Sequence, residues 1–392
     1  MESRCKLPAF IRGVQLTAMT AYLAHIVANA HISRLSLVGL AKNVGKTTTT
    51  NHLVATLLDK QLYRADELAL TSLGLDGEAI DALTGLPKPR YVPEAGMLVA
   101  TTATLLLQAE SEGARIERLR QLPGRTALGA VLLARIQHPG RIIIAGPTLL
   151  RDLRNALDQL HTYGARLGIV DGAINRLGAA APGITDACIL CTGASLARTP
   201  ELAARRTVDA LARLSIQQST WADAYRKYHA QQRLLLFSPE RHGTENLHSS
   251  GSTAPAGTVE PADEARWIAG QIDTHDHPVC FLRGALTEEL SRALLAALPP
   301  HFTNAQGELV VEDGTKVFCH PVTLQRLAAR GLMVRVARSI RVLAMTLNPY
   351  TPEYACTPRR LLDALLKELP EFYPPLIDVV SGMFHARDDV TS

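Results

Sequence analysis

A chain of 392 residues with 47% hydrophobic and 20% charged residues is long enough for two folded domains and too apolar to be disordered. Its formal net charge of +4 is spread along the chain, and with 5% aromatic residues and no basic–aromatic interleaving it offers no nucleic-acid groove. No segment is apolar and long enough to span a bilayer, so the expected setting is the cytoplasm, with neither membrane nor nucleic acid as a partner.

Residues 7–30 are moderately apolar and end in Ala-Asn-Ala, but Arg12, Gln15 and His25 interrupt them. Residues 1–33 therefore read as a helical N-terminal extension, or as an upstream-extended start with Met19 as the alternative, rather than as a secretory signal. The apolar run 35–40 comes next, then the polar loop 41–45, Lys46-Thr47, and a stretch in which Leu53, Val54, Leu57 and Leu58 recur at helical spacing. Strand, loop and helix in that order turn a Gly-Lys-Thr string into a candidate phosphate site. Backbone N–H groups of Asn43, Val44, Gly45 and Lys46 would line the loop, and the helix N-terminus would add partial positive charge. Lys46 would reach the β- and γ-phosphates of ATP, and the Thr47 hydroxyl would join an octahedral Mg²⁺ shell. Gly39, Asn43, Val44, Gly45, Lys46, Thr47 and Thr48 are the nucleotide-binding candidates; the bland alternative is a helix cap that binds nothing.

Further along, residues 67–74 read as a second strand, 84–93 as a Pro-, Gly- and Lys-marked loop, and 95–109 as strand or helix. Short apolar runs follow at 128–136, 141–145, 167–170 and 184–191, with a helical pattern over 149–160. The basic run 115–120 reads as a solvated helical face. Residues 238–261 hold almost no apolar side chains and read as a linker. Beyond them come strands at 279–282, 309–311, 332–336 and 340–347 and helices at 287–298 and 324–331. The expected architecture is α/β: a mostly parallel sheet with helices on both faces, of P-loop NTPase type, plus a smaller C-terminal α/β unit. Its expected divisions are an extension (1–33), a nucleotide-binding domain (34–237), a linker (238–264) and the C-terminal unit (265–392).

A Mg-nucleotide site needs a carboxylate beyond Thr47. Asp76 follows the second strand and Asp171 ends the run 167–170; either fits the metal shell and catalysis with Lys46, and either could equally be a helix cap or turn residue. Glu78 and Glu94 are weaker candidates. Asn175-Arg176 lacks the Asp of a guanine-reading motif, since Gly178 stands there, so adenine is the default base. Functional loops tend to follow strand ends, and Thr192-Gly193, Glu312-Asp313-Gly314-Thr315-Lys316 and Asn348-Pro349-Tyr350 stand there. Of the six cysteines (Cys5, Cys188, Cys191, Cys280, Cys319 and Cys356), the Cys188/Cys191 pair sits in an apolar strand without a second ligand pair, so buried thiols are expected rather than zinc. His275-Asp276-His277 lacks a third ligand of suitable placement.

The loop Gly39-Leu-Ala-Lys-Asn-Val-Gly45-Lys46-Thr47 is one residue longer than the usual phosphate loop. It resembles that of dethiobiotin synthetase, which also carries Val before Gly-Lys-Thr, and Lys88-Pro89 resembles the Lys-Pro pair that in that family faces the acceptor. GLAKNVGKTTT, Gly85-Leu-Pro-Lys-Pro, IVDGAINR, EDGTK and LNPY together resemble the accessory, or reactivase, proteins of adenosylcobalamin-dependent lysine 5,6-aminomutase. The second resemblance implies a slow, Mg-ATP-dependent helper of a partner enzyme. The first implies an ATP-dependent small-molecule ligase or kinase. A sensor that binds nucleotide without turnover is the third option, and a homodimer is open.

Overall fold

A computed structural model describes residues 16–74, 90–172, 177–228, 233–237, 260–273, 277–299 and 307–386. Its elements begin with α1 (Leu16–Asn29), β1 (Arg34–Gly39), α2 (Lys46–Asp59), β2 (Leu68–Ser72), β3 (Leu98–Thr102), α3 (Ala103–Ser111), β4 (Arg115–Thr126), β5 (Gly129–His138), α4 (Leu150–Thr162), β6 (Leu167–Asp171) and β7 (Ala187–Gly193). Then come α5 (Pro200–Leu214), α6 (Ala222–Tyr228), β8 (Leu234–Phe237), α7 (Pro261–Asp273), β9 (Val279–Leu282), β10 (Leu286–Thr287), α8 (Glu288–Ala297), β11 (Gly307–Val311), β12 (Val317–Phe318), α9 (Pro321–Ala329) and β13 (Leu332–Val336). Last are β14 (Val342–Asn348), α10 (Pro358–Glu368), β15 (Leu376–Ile377) and β16 (Phe384–His385). The chain forms two units, residues 1–208 with 341–392, and residues 209–340.

The first unit is built on a ten-stranded sheet in the order β16-β15-β14-β7-β1-β6-β2-β3-β5-β4. Strands β15 through β3 run parallel, while β16 and the β4–β5 hairpin add antiparallel edges. Parallel strands are buried on both faces, which explains their near-continuous apolar runs. Leu35, Leu37, Leu68, Leu70, Leu167 and Ile169 pack with Leu23 and Val27 of α1 and Leu53 and Leu57 of α2. The alternate residues Ala69, Leu98, Ala100 and Val170 pack with Leu153, Leu157 and Leu160 of α4. β1 lies between β6 and β7, with the sheet continuing to β2 and β3 on one side and to β14 and β15 on the other. The loop after β1 therefore opens at the carboxyl edge of the central strands, the usual ligand position in open α/β sheets.

The second unit has a four-stranded sheet, β13-β11-β9-β8, in which only β8 is antiparallel, and a two-stranded ladder of β10 and β12. Leu290 and Leu294 of α8, Leu327 of α9 and Ile268 of α7 cover one face. Tyr225 of α6 packs on Phe281 from the other. Thr287 caps α8 by accepting from the Leu290 N–H at 3.2 Å, the local chemistry expected there.

Three expectations are redrawn. The apolar run 340–347 is a strand, but β14 pairs with β7 in the large sheet, so residues 265–392 are not one unit and the boundary at 237 moves to 208/209. The basic run 115–120 is edge strand, not helix: β4 is bulged at three places, which breaks its alternation, and Arg115, Arg118 and Arg120 are exposed, with Arg118 paired to Glu110. α7 begins at Pro261, inside the expected linker. The stretch 95–109, ambiguous in sequence, is both: β3 followed directly by α3. Among the described residues no helix is long and apolar enough to cross a membrane.

Candidate functional site

Residue 39 ends β1, and the Leu40 N–H still donates to the Cys191 carbonyl of β7 at 3.1 Å. Beyond it the chain turns through Asn43 (φ +59°) and Gly45 (φ +83°) before α2 begins at Lys46. Left-handed residues in such a turn build a concave backbone surface suited to anions. Gly45 is the N-cap and supplies no side-chain cap, so the first-turn N–H groups of α2 keep their donor capacity for a ligand.

Lys46 is buried, at 9% exposure, and folds back over the end of β1. A Cβ on residue 39 would lie 2.8 Å from Lys46 Cδ, 3.0 Å from its Nζ and 3.0 Å from Val44 Cγ2. Glycine at 39 is thus what lets the lysine cross the loop, which gives the displaced glycine of the longer motif a physical role.

The outer side of the loop is held by two residues distant in sequence. Ser195 Oγ donates to the Lys42 carbonyl at 2.9 Å, and Asn348 Nδ2 donates to the Asn43 carbonyl. Thr49 Oγ1 donates to Thr346 Oγ1 at 3.2 Å, and Gly193 lets β14 approach, since a Cβ there would lie 2.4 Å from the Asn348 carbonyl oxygen. These bonds occupy the Lys42 and Asn43 carbonyls and tie the loop to the segments that follow β7 and end β14.

Asp171 ends β6, opposite Leu37 of β1 and Ser72 of β2. Its Oδ2 accepts from the Tyr91 hydroxyl. Cys191 lies beneath the loop with its thiol pushed up to about 11, chiefly by burial, while Thr346, Lys46 and Thr49 pull it down and Asp171 raises it. Lys46 and Asp171 thus act on the same buried sulfur in opposite directions. Cys188, in the same strand, is pushed up to about 12 by burial and by Cys191. Both are buried free thiols.

By donor set and by cradle, this turn could hold a Mg-nucleotide. Gly39, Asn43, Val44, Gly45, Lys46, Thr47 and Thr48 form one continuous turn and helix start, with Asp171 on the adjacent strand. Asp76, Glu78, Lys88-Pro89, Asn175-Arg176 and His275-Asp276 lie outside the described residues. Glu94 precedes β3, with its N–H donating to Met97 Sδ at 3.3 Å. Asp313 is a buried loop-former, accepting from the Thr315 N–H at 2.8 Å, and burial raises its carboxyl above the usual range.

Sequence reasoning missed Tyr91 and Ser195 and did not link Asn348 to the loop. A lone tyrosine among the prolines of residues 84–93 was the signal available for the first. Strand-end polar residues were the signal for the others.

No protein-family model, curated protein or solved structure matches this chain. What the site can do is read from its own atoms.

Proposed function

We propose that the first unit binds Mg-ATP at residues 39–48 and hydrolyses it slowly, as a helper that changes the conformation of a partner enzyme. The observation that carries the nucleotide site is Lys46 folded across Gly39 beneath a left-handed loop with an uncapped helix start. In this reading the Lys46 ammonium neutralises the β- and γ-phosphates, and backbone N–H groups of the loop hold the remaining phosphate oxygens. Thr47 and Asp171 would hold the magnesium shell. Bound magnesium would offset charge developing on the transferring phosphoryl group.

The helper role is favoured over a minimal ligase by chain connectivity. The second unit, residues 209–340, is inserted into the chain of the first, and the segments just before α5 and at the end of β14 supply Ser195 and Asn348, the two side chains tied to the loop. A loop that reshapes with its nucleotide would act on the segments that carry Ser195 and Asn348, and ordering of this kind is how γ-phosphate switches bias a partner. The partner class implied by the sequence resemblance is an adenosylcobalamin-dependent aminomutase.

Capture from native lysate with and without ATP, followed by hydrolysis assays with the recovered protein, tests the role. Slow basal turnover that rises with the recovered partner is the expected result. Turnover that depends instead on a small carboxylate or amine, with no protein present, would assign a ligase or kinase.

A further inference from the structure

Residues 142–147 form a strap across the carboxyl ends of β2 and β3. Ser72 Oγ donates to the Ile144 carbonyl at 3.2 Å and accepts from the Gly146 N–H at 2.8 Å. Thr101 Oγ1 accepts from the Ala145 N–H at 2.9 Å, and the Gly74 N–H donates to the Pro147 carbonyl at 2.7 Å. Tyr91 is bound to this strap by a two-way backbone bridge with Ile142, each bond 3.0 Å. On its other side the Arg90 carbonyl accepts from Asn51 Nδ2 of α2 at 2.9 Å. The backbone at residues 90–91 is therefore fixed both to the sheet edge and to the helix that begins at Lys46. From that anchorage the buried Tyr91 side chain extends to Asp171 and donates to its Oδ2.

We propose that Tyr91 is a positioning residue that holds the Asp171 carboxylate in the orientation in which it serves the magnesium shell. The proposal rests on the nucleotide reading above. An ionised carboxylate has about four acceptor positions on its two oxygens, so a bond from Tyr91 is compatible with a second one to metal-bound water. Outer partners of this kind fix the rotamer of a ligating carboxylate, and their loss typically lowers metal affinity by about 10- to 100-fold. The link through Asn51 also places Tyr91 between the phosphate-loop helix and the strand that carries Asp171, so the two halves of the site share one brace.

The test is calorimetric ATP binding by the full chain over a series of Mg²⁺ concentrations and in EDTA. It compares wild type, Tyr91→Phe, Asp171→Asn, the double variant and Lys46→Ala. Phenylalanine keeps the ring in its slot and removes only the hydroxyl. Tyr91→Phe is expected to match wild type without Mg²⁺ and to need about tenfold more Mg²⁺ for the same gain in ATP affinity. In the Asp171→Asn background, Tyr91→Phe is expected to add nothing. An unchanged or lowered Mg²⁺ requirement in Tyr91→Phe, while Lys46→Ala abolishes ATP binding, overturns the role of Tyr91 and leaves the nucleotide site standing. An effect of Tyr91→Phe that persists without the Asp171 carboxylate overturns it as well. ATP affinity undiminished in Lys46→Ala removes the nucleotide reading and this proposal together.

Discussion

Asn348 Nδ2 donates to the Asn43 carbonyl, joining the last residue of β14 to the loop between β1 and α2 across 305 positions of sequence. The same side chain accepts through Oδ1 from the Tyr350 N–H at 3.1 Å, and its Cβ lies 3.4 Å from where a Cβ on Gly45 would stand. A strand that returns after the inserted unit thereby shapes a loop formed near the start of the chain.

Asn348→Ala is expected to weaken ATP binding by about tenfold, the worth of about one well-placed hydrogen bond plus lost order in the loop. Asn348→Asp should lose more, because a carboxylate cannot donate to the Asn43 carbonyl and brings negative charge towards the phosphates. Calorimetry on both variants checks the order. Equal, wild-type affinities would show that the loop does not need this tether.

Two glycine variants separate binding from folding. In Gly39→Ala the new Cβ meets the flexible end of Lys46 at 2.8–3.0 Å, so the lysine shifts and the backbone need not. In Gly146→Ala it would stand 1.9 Å from the Ser72 carbonyl oxygen, where backbone must move. Gly39→Ala is therefore expected to lose ATP affinity at an unchanged urea midpoint, and Gly146→Ala to lose about 3 kcal/mol of stability. The opposite assignment of the two effects in urea titrations would contradict the packing described.

The strand, turn and helix that carry the candidate site were legible because their determinants are local. Apolar residues 35–40, the loop glycines and Lys46-Thr47 are adjacent, and helical spacing of Leu53, Val54 and Leu57 follows at once. What could not be read is long-range. The run 340–347 is equally apolar whichever sheet receives it, so its pairing with β7, and with it the inserted topology, left no local mark. Strand β4 misled for a physical reason: its register shifts break the two-residue alternation by which a strand is recognised, so Ile116 packs in one core cluster and Leu119 and Leu122 in another. Tyr91 meets Asp171 over 80 residues of sequence, a contact that neither propensity nor periodicity encodes.

The central claim is that residues 39–48 bind the phosphates of ATP through Lys46. Isothermal titration of Mg-ATP into wild type and Lys46→Ala, with circular dichroism confirming that both are folded, tests it most directly. Saturable 1:1 binding by wild type, abolished in Lys46→Ala, is the predicted result. Undiminished ATP affinity in the folded Lys46→Ala variant would contradict it.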